Sequence, residues 1–334
     1  MLRYGLLLFA LVPAASSYAD TVWLDNGDRL SGKIILFDGS KLLIQTVYAG
    51  AIPINWKQVK TLESDTGLLV EQDTYTGGKI SSLKAADAGK VTLVQGQTPQ
   101  TVELKNIHQI MKPVSMAHEL SWKGNVDVAL DYKREERDSD KYDIDYNVTV
   151  RDGMWRHGLK GEYNREVKAR TPATNNWGIT YALDHFLTQQ WFWQGRLFYQ
   201  QDKVDDPTRQ IAFGTGPGYQ FWEDELGALS LKTLLVKVDY RLKNNDKGQD
   251  NFAAIGTDYN LYLIGKRIEL FANGEIRKQF AGDGGYLLFS ETGLRYKLTD
   301  WGALNIKADH TFFNSANQES FAKTRYTAGF GVSW

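Results

Sequence analysis

Cysteine is absent from all 334 residues. Disulfides and thiolate metal centres are therefore excluded. A surplus of either charge is missing too, since 39 Lys+Arg stand against 40 Asp+Glu. A nucleic-acid-binding surface normally leaves a basic excess, so no nucleic-acid partner is expected. Proline is scarce, at 7 residues. Beyond the N-terminus no apolar run approaches the ~20 residues that a spanning helix needs. Aromatic residues are abundant, with 10 Trp, 17 Tyr and 15 Phe beside 31 Gly. That profile belongs to a chain of many strands, and by itself it fits a soluble sandwich as well as a membrane protein.

The single apolar run lies in "MLRYGLLLFALVPAASSYAD", after Arg3 and before the small residues Ser17 and Ala19. This is the layout of a secretory signal peptide over residues 1–19, with cleavage expected after Ala19. The mature chain would begin at Asp20 and leave the cytoplasm. It would then be soluble or enter a membrane as strands.

Residues 20–113 read as a small β domain. "TVWLDNGDRLSGKIILFDGSKLLIQT" gives three short strands, with tight turns at Asn26-Gly27 and Asp38-Gly39. A weak repeat of roughly 45 residues follows. Gly32-Lys33-Ile34 matches Gly78-Lys79-Ile80, and "INWKQVKTL" is spaced like "VELKNIHQI". The pattern resembles an Sm-like or SH3-like barrel.

The grammar changes in residues 118–334. Leu120, Trp122, Val126, Val128, Leu130 and Tyr132 share one parity, while Lys123, Asn125, Asp127 and Asp131 share the other. Twelve such alternating segments continue to the C-terminus. Tight connections such as "RDGMW", "LTQQ", "WEDELG", "IGKR" and "TDWG" alternate with longer polar ones such as "REERDSDK", "VKARTPATNN" and "QDKVDDPTR". Short turns at one end and longer loops at the other are the organisation of an outer-membrane barrel. The fold class expected is thus all-β: a transmembrane antiparallel barrel of about 12 strands after a small periplasmic β domain.

The tryptophans provide an independent indication. Trp122, Trp155, Trp191, Trp193, Trp222, Trp301 and Trp334 all fall near the tight-turn end, and only Trp177 falls toward the loops. Indole favours the membrane interface, where its ring meets hydrocarbon and its N–H meets water. These seven are expected to form a periplasmic girdle.

The chain ends in "YTAGFGVSW", with Tyr326, Phe330, Val332 and Trp334 on the apolar parity. Outer-membrane barrels resemble one another in such a closing strand, and the resemblance implies recognition of these four residues by the barrel-assembly machinery. The region 118–334 also resembles an uncharacterised family of bacterial outer-membrane barrels often labelled salt-induced. The likeness rests on "ELSWKGNVDVALDYKRE", "LTDWGALNIKAD" and "RYTAGFGVSW". That family implies no activity and no functional residues, and it leaves the N-terminal domain unexplained.

Catalysis is weighed on the histidines. His108, His118, His157, His185 and His310 show no metal-ligand spacing, and "ADHTFFN" around His310 lacks the His-x-Ser arrangement of the outer-membrane phospholipase. No enzyme activity, cofactor or metal is expected. The informative charges are those assigned to the inward parity: Lys123, Asp127, Asp131, Asp143, Asp145, Arg151, Arg196, Lys237, Asp239, Arg241, Glu275, Arg277, Glu291, Arg295, Lys307 and Asp309. They would either close the lumen as a paired network or line a narrow hydrated path for small solutes or ions. The alternatives to a channel are a structural or stress-related envelope barrel whose N-domain binds a periplasmic partner, and a lipid-modifying enzyme. The expected surroundings are the outer-membrane lipids, with residues 20–113 in the periplasm.

Overall fold

The computed structural model describes residues 19–72, 79–96, 98–113, 120–133, 139–280, 285–299, 301–314 and 320–334. The expected signal peptide, apart from Ala19, lies outside the described residues, as do Gly78 and His118. The chain divides into two compact units, 1–111 and 112–334.

The first unit contains β1 (Asp20–Leu24), β2 (Arg29–Phe37), β3 (Lys41–Thr46), β4 (Gly50–Asn55), β5 (Val59–Glu71), β6 (Lys79–Ala85), β7 (Lys90–Gln95), β8 (Thr98–Glu103) and β9 (Gln109–Met111). They pair in the order β4-β3-β2-β1-β5-β6-β7-β8. Both β1 and β9 bridge β2 and β5, so the sheet curls into a small ring. Apolar residues of alternate parity fill it, among them Val22, Ile34, Leu42, Ile44, Leu62, Leu83, Leu93 and Ile110. Phe37 stacks on Trp56 with ring centroids 3.9 Å apart. Asp20 is buried and its carboxylate accepts from the Ile34 N–H at 2.6 Å, tying the start of β1 to β2. The two similar stretches each contain a 3₁₀ turn, at Trp56–Gln58 and Leu104–Asn106.

The second unit is a closed antiparallel barrel. Its strands are β10 (Ser121–Lys133), β11 (Ser139–Asp152), β12 (Trp155–Lys168), β13 (Thr171–Phe186), β14 (Trp191–Asp202), β15 (Arg209–Asp224), β16 (Gly227–Arg241), β17 (Lys247–Leu263), β18 (Ile268–Gln279), β19 (Tyr286–Lys297), β20 (Gly302–Asn314) and β21 (Phe321–Ser333). Each pairs with its sequence neighbour, and β21 returns to β10, which removes both sheet edges. The closing seam is short. Asn125–Val128 pair with Phe330–Ser333, and Gly124 and Trp334 exchange backbone hydrogen bonds of 3.1 and 3.0 Å. A Cβ on Gly124 would meet the Trp334 ring at 2.6 Å, so only glycine lets the indole lie across β10.

One expected long loop is not a loop. In "VKARTPATNN" the strands continue past the apolar band, and Lys168 pairs directly with Thr171. Ala169 and Arg170 alone turn the chain, with φ of 46° and 66°, the left-handed pair that a two-residue hairpin of matching twist requires. Polar residues on a strand that projects beyond hydrocarbon have the composition of a loop, which is why the sequence reads as one.

Candidate functional site: the barrel lumen

The lumen follows from strand parity. Side chains alternate between the two faces, and the exposed exterior set is apolar: Leu197, Ile211, Phe213, Leu231, Leu235, Ile255, Ile276, Leu304 and Ile306. No apolar core covers this face, so only a hydrocarbon surround satisfies it. The seven tryptophans expected in the girdle are all exposed and lie at or near the tight-turn end. Trp122 neighbours Trp334 at 6.0 Å, Trp191 neighbours Tyr219 at 5.0 Å, and Trp301 neighbours Phe330 at 6.5 Å. Trp193 donates its indole N–H to the Thr215 hydroxyl at 2.8 Å. Trp177 lies at the opposite end beside Tyr199. Tyr326, Phe330 and Val332 on β21, and Trp334 just after it, are exposed on the outer face.

Inside, ion pairs join neighbouring strands and also reach across strands that are not neighbours. Arg295 on β19 donates to Asp127 on β10 at 2.7 Å and to Glu269 on β18 at 2.6 Å. Lys307 on β20 meets Asp145 on β11 at 2.6 Å. Arg325 on β21 contacts Asp309 at 3.1 Å, Asp143 at 3.5 Å and Asn164 at 2.5 Å. Arg196 on β14 holds Glu275 on β18 through two bonds of 2.5 and 3.0 Å, and Arg277 adds a third at 2.6 Å. Charge-assisted bonds of this kind are strong, and they fix facing walls to one another.

Three levels follow along the axis. At the tight-turn end, Arg151 and Arg156 both pair with Glu223, and both guanidinium groups lie over the Phe186 ring. Arg156 also pairs with Asp184 at 2.8 Å. Beside and above this cluster a polar cavity of ≈ 540 Å³ extends from the tight-turn end toward mid-barrel. Lys123, Lys160 and Glu162 line it without an ion-pair partner among the described residues. Lys232 and Asp258, also in its wall, pair at 2.5 Å. Toward the loop end, outside the lining of this cavity, the Arg196–Glu275–Arg277 cluster crosses the lumen. There the β15–β17 wall becomes apolar, with Ala212, Leu234, Val236, Val238, Phe252 and Ala254 buried against Phe198, Tyr240 and Leu287.

That apolar stretch corrects three expectations. Lys237, Asp239 and Arg241 lie on the outside of β16, because the opposite parity carries Leu234, Val236 and Val238 into the lumen. Lys123, Asp127, Asp143, Asp145, Arg151, Arg196, Glu275, Arg277, Glu291, Arg295, Lys307 and Asp309 face inward, through the pairings above or the cavity wall. The side chain of Asp131 lies outside the described residues. Sequence reasoning missed Arg156, Lys160, Glu162, Asp184, Glu223, Lys232, Asp258, Glu269 and Arg325. Arg156, Lys160 and Glu162 were legible, since they alternate with Trp155, His157, Leu159 and Tyr163. Glu223 was not. A bulge between Gln220 and Trp222 shifts the register and changes the inward parity.

The histidines at the barrel wall make local contacts. His310 Nδ1 lies 2.8 Å from the Thr324 hydroxyl, and His157 Nδ1 lies 2.8 Å from the Tyr181 hydroxyl. Among the described residues no group of three or more His, Asp or Glu is placed to hold a metal ion.

The model of a family described as "Protein of unknown function, DUF481" matches residues 126–334. The chain belongs to that family. The match covers the DUF481 barrel from the seam strand β10 to Trp334 and excludes the N-terminal unit. Comparison with curated proteins found no match. Among solved structures, the NanC porin is similar at 8% identity over 63% of this chain and 98% of that one, with a TM-score of 0.41. The translocator domain of the autotransporter NalP from Neisseria meningitidis is similar at 11% identity, over 64% and 88%, with a TM-score of 0.33. Outer-membrane-expressed OmpT of Vibrio cholerae is similar at 8% identity, over 64% and 96%, with a TM-score of 0.30.

Proposed function

We propose that this DUF481 barrel is an integral outer-membrane protein that gives small hydrophilic solutes or ions a narrow, side-chain-gated path, with residues 20–113 in the periplasm. One observation carries the reading: a cavity lined by many charged side chains, with Lys160 and Glu162 among those in no direct ion pair, lies inside a wall whose outer face is apolar. Charges without a direct ion pair in a lumen need water, and a hydrated cavity that extends to one end is already half of a path. The remaining barrier is built from movable side chains, Arg196, Glu275 and Arg277, beside an apolar wall. Both barrel termini lie at the tight-turn end, so the N-terminal unit is tethered there, and in an outer-membrane barrel that is the periplasmic end.

Proteoliposomes of the full-length protein test this by swelling in iso-osmotic amino acids or sugars. Slow, size-limited swelling is expected. Swelling no faster than that of protein-free liposomes for every solute would count against a path.

A second reading has its own support. The ion pairs across the lumen and the apolar cluster favour a closed barrel whose role is to anchor the N-terminal unit and its partner at the membrane. Under that reading the double variant Arg196→Ala/Glu275→Ala is as impermeable as the parent.

A further inference from the structure

The barrel exterior above the apolar band carries charges that nothing in the lumen uses. Register places three of them side by side. Arg209 on β15 is directly opposite Arg241 on β16, and Arg241 is directly opposite Lys247 on β17. All three take the outward parity of their strands, shared with Ile211, Leu235 and Ile255. Residues paired in this way have Cβ atoms about 5 Å apart, and like charges so placed repel. No ion pair relieves them among the described residues. Asp239, one outward step from Arg241 and opposite Ile211 and Gln249, makes no direct ion pair with any of the three among the described residues. Nearby loop carboxylates are directed elsewhere: Asp206 accepts from the Lys243 N–H at 2.7 Å, and Asp246 accepts from the Asn244 amide at 2.6 Å.

Position adds to charge. Immediately below the row, toward mid-barrel, the exposed outward residues are Ile211 and Phe213 on β15 with Leu197 on β14. On β16 they are Asp239 and Lys237, and on β17 Gln249 and Asn251, so the apolar margin lies on the Arg209 side. The Arg209 guanidinium lies over the Tyr199 ring with 5.7 Å to its centroid. An aromatic ring at the margin of the hydrocarbon holds the cation at headgroup height. Three adjacent cations, none of them in a direct ion pair, match a phosphorylated headgroup there, since guanidinium binds phosphate oxygens through paired, charge-assisted bonds.

We infer that Arg209, Arg241 and Lys247 form a binding site for the phosphate groups of a lipid in the leaflet at the loop end of the barrel. The inference rests on the membrane placement proposed above. A bound phosphate would remove the mutual repulsion, and its acyl chains would lie along Ile211 and Phe213.

Full-length protein folded in detergent micelles is the material, and bisphosphorylated lipid A is the probe. Lipid A stripped of both phosphates and inorganic phosphate are the comparison arms. Wild type should bind the bisphosphorylated lipid, and R209Q/R241Q/K247Q should bind it about tenfold or more weakly. R241K keeps the charge without the paired bonds and should bind between wild type and the triple variant. Equal binding by the triple variant, or by the stripped lipid, overturns the inference. Inorganic phosphate that displaces the lipid completely and binds as tightly overturns the lipid assignment. Folding is read from gel mobility before and after boiling, and if the triple variant does not fold, R241Q alone carries the comparison. A wild-type chain soluble without detergent would instead sink the membrane placement, which keeps the two failures distinct.

Discussion

Arg295 offers the sharpest test of the lumen network. Its side chain is 8% exposed, and the carboxylates it bridges, Asp127 and Glu269, are 14% and 13% exposed. Replacement by alanine leaves two carboxylates in a poorly hydrated site without their cation. Breaking a buried pair by removing one partner costs ~3–5 kcal/mol. The adjacent cavity can admit water, so a loss of about 3 kcal/mol is expected. Because Arg295 links β19 to β10, the loss falls across the closing seam. Replacing all three groups together, as D127N/E269Q/R295M, removes the charges with their partner and should cost no more than about 1 kcal/mol. The assay is guanidinium unfolding of protein refolded into liposomes, followed by tryptophan fluorescence and gel mobility. A single variant that unfolds at the parent's midpoint, or a triple variant as damaged as the single, would refute the reasoning.

Deleting Trp334 should sharply lower the fraction of chains assembled in the outer membrane, read as the heat-shifted band in membrane fractions; wild-type levels would end the terminal-signal reading. Gly124→Val should act at the same seam by displacing the Trp334 ring, with slower or incomplete barrel closure on the same gel. Phe37→Ala removes a buried ring stacked on Trp56 and should destabilise the N-terminal unit by ~3–5 kcal/mol, seen as faster cleavage of residues 20–113 in limited proteolysis while the barrel stays resistant. Protease added to intact cells should spare the N-terminal unit, and protease added after the outer membrane is permeabilised should remove it; cleavage in intact cells would reverse the proposed orientation.

How far the sequence can be read depends on what each face meets. In β12 the faces differ chemically: Trp155, Leu159 and Tyr163 meet hydrocarbon while Arg156, Lys160 and Glu162 meet the lumen, so alternation alone gives strand and orientation. In β16 the rule breaks. Leu229, Leu231 and Leu235 face outward, but Leu234, Val236 and Val238 face inward against Phe252 and Ala254 on β17. Both parities are apolar over that stretch, and only contact with distant strands decides between them. Alternation therefore reads Lys237, Asp239 and Arg241 as lumen residues, and it hides the basic row that includes Arg241. The ion-pair partners were also beyond alternation, since Arg196 and Glu275 share a face without any local sign that they meet across it. The curled N-terminal unit was legible as strands and turns. The short β9 that closes its ring lies far from β2 in sequence and carries no mark of the pairing.

Single-channel recording in planar bilayers tests the gated path most directly, with wild type and Arg196→Ala/Glu275→Ala compared under the same voltages. A side-chain gate predicts brief, small openings in wild type and longer, larger ones when the pair that spans the lumen is removed. Silence from both proteins at every voltage, with both shown to be folded and inserted, would contradict it.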